Sequence, residues 1–154
     1  MSEARVKVVL QTDDRIETLW ADPEGPGRYQ LDNTPFWAYG ISWRDVVEVA
    51  PDPDGTLRCV RVVAKSGHRT VRCMFDPGIE ADPAQRAIID GVVALGCTFE
   101  GLNPRYITID LPPAADLTAV AAYLTAQGVT WEHADPPYDK LYPDHAGTVR
   151  EVEG

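Results

Sequence analysis

The sequence has few cysteines, no long apolar run and none of the commonest catalytic motifs, and each of these absences excludes a class of protein. Its 154 residues include three cysteines, none in the C-x-x-C spacing of a redox or zinc motif. No apolar run approaches the ~20 residues that a membrane helix requires, so no membrane protein is expected. The patterns G-x-S-x-G, G-x-x-x-x-G-K and G-x-G-x-x-G are absent, which removes the commonest hydrolase, nucleotide and dinucleotide classes.

Ligand patterns for metals are missing as well. The three histidines are widely spaced, and the acidic residues near the C-terminus lack the glycine and final glutamate of a calcium loop. We therefore predict no metal and no cofactor. The cysteines lie in apolar surroundings and are predicted to be reduced core thiols: Cys59, Cys73 and Cys97.

The charge balance is strongly acidic. Twenty-four acidic residues against 14 basic ones give a formal net charge of -10. Binding to a phosphate backbone depends on basic side chains that displace counterions, so nucleic acid is not an expected partner. The same charge favours a basic protein partner or serves solubility alone. Because the N-terminus MSEARVKVVL lacks an apolar signal stretch, we expect a cytoplasmic protein.

Residues 1–67 read as short strands separated by turns, which predicts a small antiparallel β-barrel or a strongly curled sheet. Turn-forming groups rich in Asp, Pro and Gly separate these strands. The strand patterns cover residues 5–11, 16–21, 27–32, 45–50 and 56–64.

Residues 68–134 predict a ferredoxin-like half of order βαββαβ, packed on the barrel-like half in an α+β fold. The pattern A-x-G-x-T-aromatic-E occurs twice, at 94–100 and 126–132, and each copy follows a predicted helix. In the first helix, Asp82 is the expected N-cap, with Gln85 as its capping-box partner. The predicted strands are 68–75, 97–100, 105–111 and 129–133, and the predicted helices are 83–95, ended by Gly96, and 114–127. In the strand 68–75, Val71, Cys73 and Phe75 alternate with Thr70, Arg72 and Met74, which predicts one buried face and one exposed face. Residues 135–154 are expected to form an extended tail.

The stretch from Leu31 to Ala50 is unusually aromatic. It contains Phe36, Trp37, Tyr39 and Trp43 within eight residues. These rings either fill the space between the two halves or line a recess that stacks on a planar ligand or anchors a partner's side chain. The sequence leaves both roles open.

His68 is the most suggestive titratable residue. If the aromatic stretch packs over the turn at 66–72, His68, Asp45 and Asn33 converge on one recess, where an imidazole beside a carboxylate suits a general base. In the alternative, His68 only orients its tight turn, and Asn33 forms a turn of its own. Arg69 and Arg72 are candidates for forked binding of an anion, or for ordinary ion pairs with the many acids.

The candidate catalytic residues are therefore His68 and Asp45. The candidate ligand-binding or partner-binding residues are Asn33, Phe36, Trp37, Tyr39, Trp43, His68, Arg69 and Arg72.

Three segments in order carry a family resemblance. They are the N-P-F-like segment at 33–36, the segment GISWRDVV at 40–47 and the segment SGHRTVR at 66–72. With them the chain resembles the bacterial family called domain of unknown function four-two-six-five. The resemblance implies a bacterial source, a stand-alone domain and a shared site or shared packing at these segments, and it supplies no activity.

Three functional hypotheses follow. The first is a non-enzymatic acidic binding protein of immunity or regulatory type, which binds a protein partner, with a basic partner favoured by the charge. The second is a small-molecule-sensing domain. The third is a small enzyme that uses His68, Asp45 and Arg69 in an aromatic-lined recess.

Overall fold

The computed structural model describes residues 4–12, 14–75 and 83–145. It confirms a mixed α+β fold, in which a closed five-stranded barrel is followed by a four-stranded antiparallel sheet with helices. The connection between the third and fourth strands, residues 32–45, has no regular structure and carries the aromatic residues. We call it the aromatic segment.

The barrel contains the first five strands. They are β1 Val6–Gln11, β2 Ile16–Gly25, β3 Arg28–Leu31, β4 Val46–Pro51 and β5 Leu57–Ala64. Successive strands pair antiparallel, but β1 and β5 close the barrel in parallel, with Val9 opposite Arg58. The expectation of a purely antiparallel barrel was wrong at this seam. Five strands that alternate in direction leave the first and the last running the same way, so closure requires one parallel pairing.

Strand β2 is longer than the sequence suggested. Its pairing with β3 continues past Ala21 through Pro23, which lies opposite Tyr29 at a register shift. The pairing of β2 with β1 ends where Ala21 meets Val6. The missing N–H of Pro23 therefore interrupts no bond to β1.

The second sheet has the strand order β7-β8-β6-β9, and every pairing in it is antiparallel. Its strands are β6 Arg69–Met74, β7 Thr98–Asn103, β8 Tyr106–Leu111 and β9 Thr130–Asp135. Helix α1, Pro83–Ala94, connects β6 to β7, and helix α2, Leu117–Ala126, connects β8 to β9. None of the helices in the described part of the chain has the length and apolar character needed to cross a bilayer.

The start of α1 tests the capping-box prediction only in part. The expected N-cap, Asp82, lies outside the described residues. Gln85 is buried, and its Nε2 donates to the Pro104 carbonyl at 2.7 Å. Gln85 thus ties α1 to the turn between β7 and β8. The second helix has a clear N-cap, because the Asp116 side chain accepts the N–H of Ala119.

Buried apolar side chains form two separate clusters. One fills the barrel, and the other lies between the second sheet and both long helices. Val71 and Cys73 point into the second cluster, as their alternation along β6 predicted. Thr70 and Arg72 on the opposite face are equally buried, so the expectation of one exposed face was wrong. The aromatic segment covers that face.

The residues after β9 differ from the expected extended tail. Tyr138–Leu141 form a short helix, α3, and Pro143–His145 form a 3-10 turn. The rings of Tyr138 and Tyr142 lie 6.2 and 6.4 Å from the His133 ring, and this packing bends the chain back onto β9. The rest of the tail, residues 146–154, lies outside the described residues.

Candidate functional site

The face of the second sheet that meets the aromatic segment is polar and buried. Thr70, Arg72, Thr108 and Asp110 lie on it, and each is at most 1% exposed. Buried polar groups require hydrogen-bond partners. Most of the partners at this seam come from the aromatic segment, so the contact that joins barrel and sheet is a hydrogen-bonded one.

Arg72 is at the centre of this seam. Its Nη2 donates to the carbonyls of Ala38 and Pro35, and its Nη1 lies 3.6 Å from a carboxylate oxygen of Glu132. The guanidinium carbon of Arg72 lies over the Tyr39 ring, 5.1 Å from the ring centre. The forked donor predicted for a ligand therefore binds the chain's own backbone and holds the aromatic segment on the sheet.

Strand β8 adds two further bonds from the sheet to the same backbone. The Thr108 hydroxyl donates to the Pro35 carbonyl at 2.9 Å, and the Tyr106 hydroxyl donates to the Phe36 carbonyl at 2.6 Å. The Tyr106 ring stacks on the Trp37 ring at 5.1 Å. Burial raises the pKa of Tyr106 to about 12, which keeps its hydroxyl protonated as a donor.

From the barrel side, Glu17 holds the aromatic segment through three consecutive amides. Its carboxylate accepts the N–H groups of Phe36, Trp37 and Ala38 at 2.8 to 3.0 Å. Successive N–H groups that converge in this way form an anion-binding nest. The nest is filled by a side chain from β2, so the aromatic rings are fixed to the barrel wall.

Asn33 also bridges the two halves. Its Oδ1 accepts the N–H of Trp20 at 2.8 Å, and its Nδ2 donates to Glu100 at 3.3 Å. The other oxygen of Glu100 accepts the N–H of Thr34 at 2.9 Å. Asn33 thus orders the start of the aromatic segment between β2 and β7.

A groove of about 490 Å³ opens between β2, the aromatic segment and β7. Its lining consists of Lys7, residues 16–20, Asn33, Thr34, Phe36, Trp37, Glu100 and Leu102. Ile16 is 64% exposed at its rim and Trp20 is 40% exposed. We call it the aromatic groove.

A second hollow of about 350 Å³ shares Trp37 with the groove, and Tyr39 also lines it. A cation lies over each tryptophan at the rim. Lys7 Nζ is 4.9 Å from the Trp20 ring centre, and the Arg15 guanidinium is 4.2 Å from that of Trp37.

His68 lies in a different place, beside Asp110 on β8. Its Nδ1 is 2.9 and 3.0 Å from the two carboxylate oxygens, and the edge of the Trp43 ring packs against its imidazole. Burial raises the pKa of Asp110, and the hydrogen bond from His68 partly opposes that rise. Trp43 in turn donates its indole N–H to Asp32 at 3.1 Å.

Asp45 does not join this pair. Its carboxylate accepts the N–H groups of Ser42 and Ser66 at 2.8 Å each, and Lys65 Nζ lies 2.6 Å from it. The expected convergence of His68, Asp45 and Asn33 is therefore not what the structure contains. The pairing of Thr70 with Asp110 across β6 and β8 brings the Asp110 carboxylate to the His68 imidazole, whereas Asp45 meets the backbone of the same turn at Ser66.

Arg69 also lies away from the aromatic groove. Its Nη2 donates to the carbonyls of Pro112 and Ala115 at 2.7 Å each, which fixes the chain between β8 and α2. Of the residues predicted to bind a ligand, the groove lining thus includes Asn33, Phe36 and Trp37, with Tyr39 in the adjoining hollow. Trp43 and His68 form a separate corner, and Arg72 is buried beneath the segment.

Sequence reasoning missed several carboxylates, one lysine and one tryptophan. Lys65 Nζ lies 2.6 Å from both Asp45 and Asp135, and these two ion pairs connect the barrel to the end of β9. For some of the missed glutamates, the sequence did contain a pattern that could have identified them. Glu17 shares its strand face with the buried Leu19, and the repeated seven-residue pattern ends in a glutamate each time. The other missed residues are Trp20, Glu100, Asp110 and Glu132.

The three cysteine thiols are unsuited to nucleophilic chemistry, and the described residues contain no cluster of metal-ligand side chains. Burial raises the pKa of Cys73 to about 12 and of Cys59 and Cys97 to about 11, so these thiols remain protonated at neutral pH. Within the described residues, no group of three or more His, Cys, Asp or Glu side chains is arranged to hold a metal ion.

Comparison with known proteins gives a family and a fold. A family model described as "Domain of unknown function (DUF4265)" matches residues 17–133, and no curated protein matches. A solved structure described as a novel crystal structure of a hypothetical protein from Neisseria gonorrhoeae is similar with a TM-score of 0.69 and 14% identity. The match covers 90% of this chain and 99% of that chain.

At 14% identity the solved structure supports the fold alone. The family model matches more than half of the 154 residues and includes the three segments on which the resemblance was based. That resemblance is confirmed. The chain therefore belongs to the family described as a domain of unknown function (DUF4265).

Proposed function

We propose that this is a non-enzymatic acidic binding protein, of immunity or regulatory type, that acts in the cytoplasm and binds a protein partner through the aromatic groove. The observation that carries the proposal is the exposure of Ile16, Trp20 and Leu102 around one cavity. Exposed apolar and aromatic side chains grouped around a recess are typical of protein interfaces.

The rigidity of the groove supports the same function. Three amides of the aromatic segment bind Glu17, and the guanidinium of Arg72 holds two of its carbonyls from beneath. A recess that is ordered before binding loses less conformational entropy when the partner docks. Trp37 and Phe36 are thus presented in fixed positions to an incoming side chain.

Charge favours a basic partner. The chain has a net charge of -10, and electrostatic attraction of that size speeds the encounter with an oppositely charged protein. Inside the groove, the carboxylates of Glu17 and Glu100 bind N–H groups of the aromatic segment, and Lys7 is the cation in the lining.

We also propose that the second sheet and its helices form a ferredoxin-like unit. The element order from β6 to β9, the strand order β7-β8-β6-β9 and the packing of both long helices into one apolar cluster support this assignment. It leaves β7 at one edge of the sheet, next to the groove.

The test is capture of a partner by the full-length tagged chain from a lysate of the source cell. We expect a specific protein to be retained by the wild type and lost with Trp20→Ala or Trp37→Ala. Val60→Ala is the matched control, because Val60 is 56% exposed on β5 and is absent from the groove lining. Recovery of the same proteins with all three variants would refute the proposal.

The alternative of a small-molecule-sensing domain has one observation in its favour. A cavity of about 490 Å³ is within the range of about 300 to 1,000 Å³ that small-molecule sites occupy. A thermal-shift screen of metabolites separates the two functions. The alternative of an enzyme placed His68, Asp45 and Arg69 in an aromatic-lined recess. These three residues are absent from the lining of the aromatic groove, so the groove gives that alternative no support.

A further inference from the structure

Strand β7 is an edge strand that lacks two of the usual protections, although its register shifts near its end, between Gly101 and Asn103. It ends the order β7-β8-β6-β9, and no strand lies on its outer side among the described residues. Five of its six residues are exposed, including Phe99 and Leu102. The strand contains no lysine and no proline, the residues that commonly block pairing of an edge with another chain. Strand β9 at the other edge is followed by α3, which contacts it.

The unpaired edge and the aromatic groove are adjacent. Glu100 and Leu102 belong to β7 and also line the groove, and Glu100 binds the aromatic segment across it. Side chains alternate between the two faces of a sheet. A strand added outside β7 would therefore direct every second side chain to the face that carries Glu100, which is the face that opens to the groove.

We propose that the partner docks by strand addition, with an extended segment pairing along β7 and alternate side chains entering the aromatic groove. This inference rests on the proposed function and specifies how the partner binds. Main-chain hydrogen bonds supply affinity in this mode, and pockets for alternate side chains supply specificity.

The segment is basic and partly apolar. Glu100 is the one charged residue of β7, the groove lining contains two carboxylates, Glu17 and Glu100, against one cation, Lys7, and the whole chain has a net charge of -10. A second copy of this chain would bring the same negative charge to the same edge, so the charge opposes self-pairing. Apolar side chains from the segment would meet Trp20 and Trp37 in the groove.

The test uses the full-length chain, labelled with ¹⁵N, and a ten-residue peptide of alternating lysine and valine with both ends blocked. We expect alternate amides of β7 to exchange with deuterium at least tenfold more slowly when the peptide is present, and the indole signals of Trp20 and Trp37 to shift. Two control peptides replace lysine by glutamate or every second residue by proline. Neither should bind.

Variants locate the contact. Leu102→Lys should lower the affinity of the protein for the lysine-valine peptide at least tenfold. Val93→Lys on α1 should leave that affinity unchanged. Both residues are nearly half exposed, so neither substitution should prevent folding.

The outcomes separate the two proposals. Shifts of the tryptophan signals without slower exchange in β7 would overturn strand addition and leave groove binding intact. Failure of the lysine-valine peptide to bind, or equal binding of the control peptides, would overturn the basic extended segment, and the lysate capture would still decide the proposed function. A dimer of the chain alone with protected β7 amides would assign the edge to a second copy and overturn the proposal.

Discussion

Glu100 and Glu132 hold the aromatic segment at the two edges of the second sheet. Glu100 accepts the N–H of Thr34 from β7, and Glu132 accepts the hydroxyl of Tyr39 at 2.7 Å from β9. Strands β7 and β9 lie at the two edges of the same sheet. The segment therefore spans the full width of the sheet, with one carboxylate at each side and Arg72 beneath it.

Replacing Arg72 by methionine should destabilise the protein strongly. The substitution keeps an apolar stem but removes the buried donor of the Ala38 carbonyl, and Glu132 loses its cation. We expect a loss of about 3 kcal/mol in the free energy of unfolding, measured by urea denaturation. Arg61→Met is the control, since Arg61 pairs with Glu48 on the surface and should contribute below about 1 kcal/mol. Equal losses would contradict the assigned role of Arg72.

Lys65→Met should also destabilise the protein, because it leaves two aspartates without their cation. The side chains of Asp45 and Asp135 are 0% and 7% exposed, and both contact Lys65 at 2.6 Å. A loss of about 2 kcal/mol is expected from chemical denaturation. Lys140→Met, at an exposed position in α3, should change stability by less than about 0.5 kcal/mol. A Lys65 variant as stable as the control would show that the contact contributes nothing.

Gly91→Ala should destabilise α1, although alanine is normally the better helix former by about 1 kcal/mol. A Cβ at this position would lie 2.0 Å from the hydroxyl oxygen of Tyr123 and 2.4 Å from its Cζ. The close contact between α1 and α2 thus depends on the absence of a side chain. We expect a loss of at least about 1 kcal/mol, and Tyr123→Ala should abolish the added penalty of Gly91→Ala. Thermal unfolding of the four proteins of this double-mutant cycle measures the effect.

His133 should make the protein less stable in mild acid. Burial lowers the pKa of His133 from 6.5, so the unfolded chain binds its proton more readily than the folded chain. The contribution of neutral His133 is present above pH 6.5 and is lost as pH falls from 6.5 through the lowered pKa. The ring packs between Trp131 and Tyr138, and its Nδ1 is buried without a hydrogen-bond partner among the described residues.

Urea denaturation at pH 7.5 and pH 5.0 tests this prediction. The stability of His133→Phe should fall less between these two pH values than that of the wild type. The pKa of Asp110 is raised by burial, so its contribution has the opposite sign, but it is common to both proteins and cancels in the comparison. An equal loss of stability in the two proteins between pH 7.5 and pH 5.0 would rule out a proton-linked role for His133.

Local sequence patterns predicted several elements of the fold. The alternation of Val71 and Cys73, the stop of a helix before Gly96 and the repeated A-x-G-x-T-aromatic-E pattern each depend on residues close in the chain. Side-chain direction and turn preference act over that short range, so sequence alone can predict them. The N-cap of the second helix was not specified, although Asp116 stands at the expected distance before the apolar stripe.

The candidate site was less accessible to such reasoning. The aromatic segment does contact the turn at 66–72, since the Ser66 hydroxyl donates to the Trp43 carbonyl at 2.7 Å. The predicted carboxylate for His68 was nevertheless wrong. Asp110 is 42 residues away, and its place beside His68 depends on the register between β6 and β8.

By itself, then, the sequence determined the order of the strands and of the two long helices, the acidic charge and the aromatic character of one connection, because each is a property of composition or of neighbouring residues. The tertiary structure alone decided which carboxylate each amide, lysine or histidine meets. Those partners come from different strands, and only strand register and barrel closure bring them within hydrogen-bonding distance. The aromatic groove exists for the same reason, since its walls belong to β2, β7 and the segment between β3 and β4.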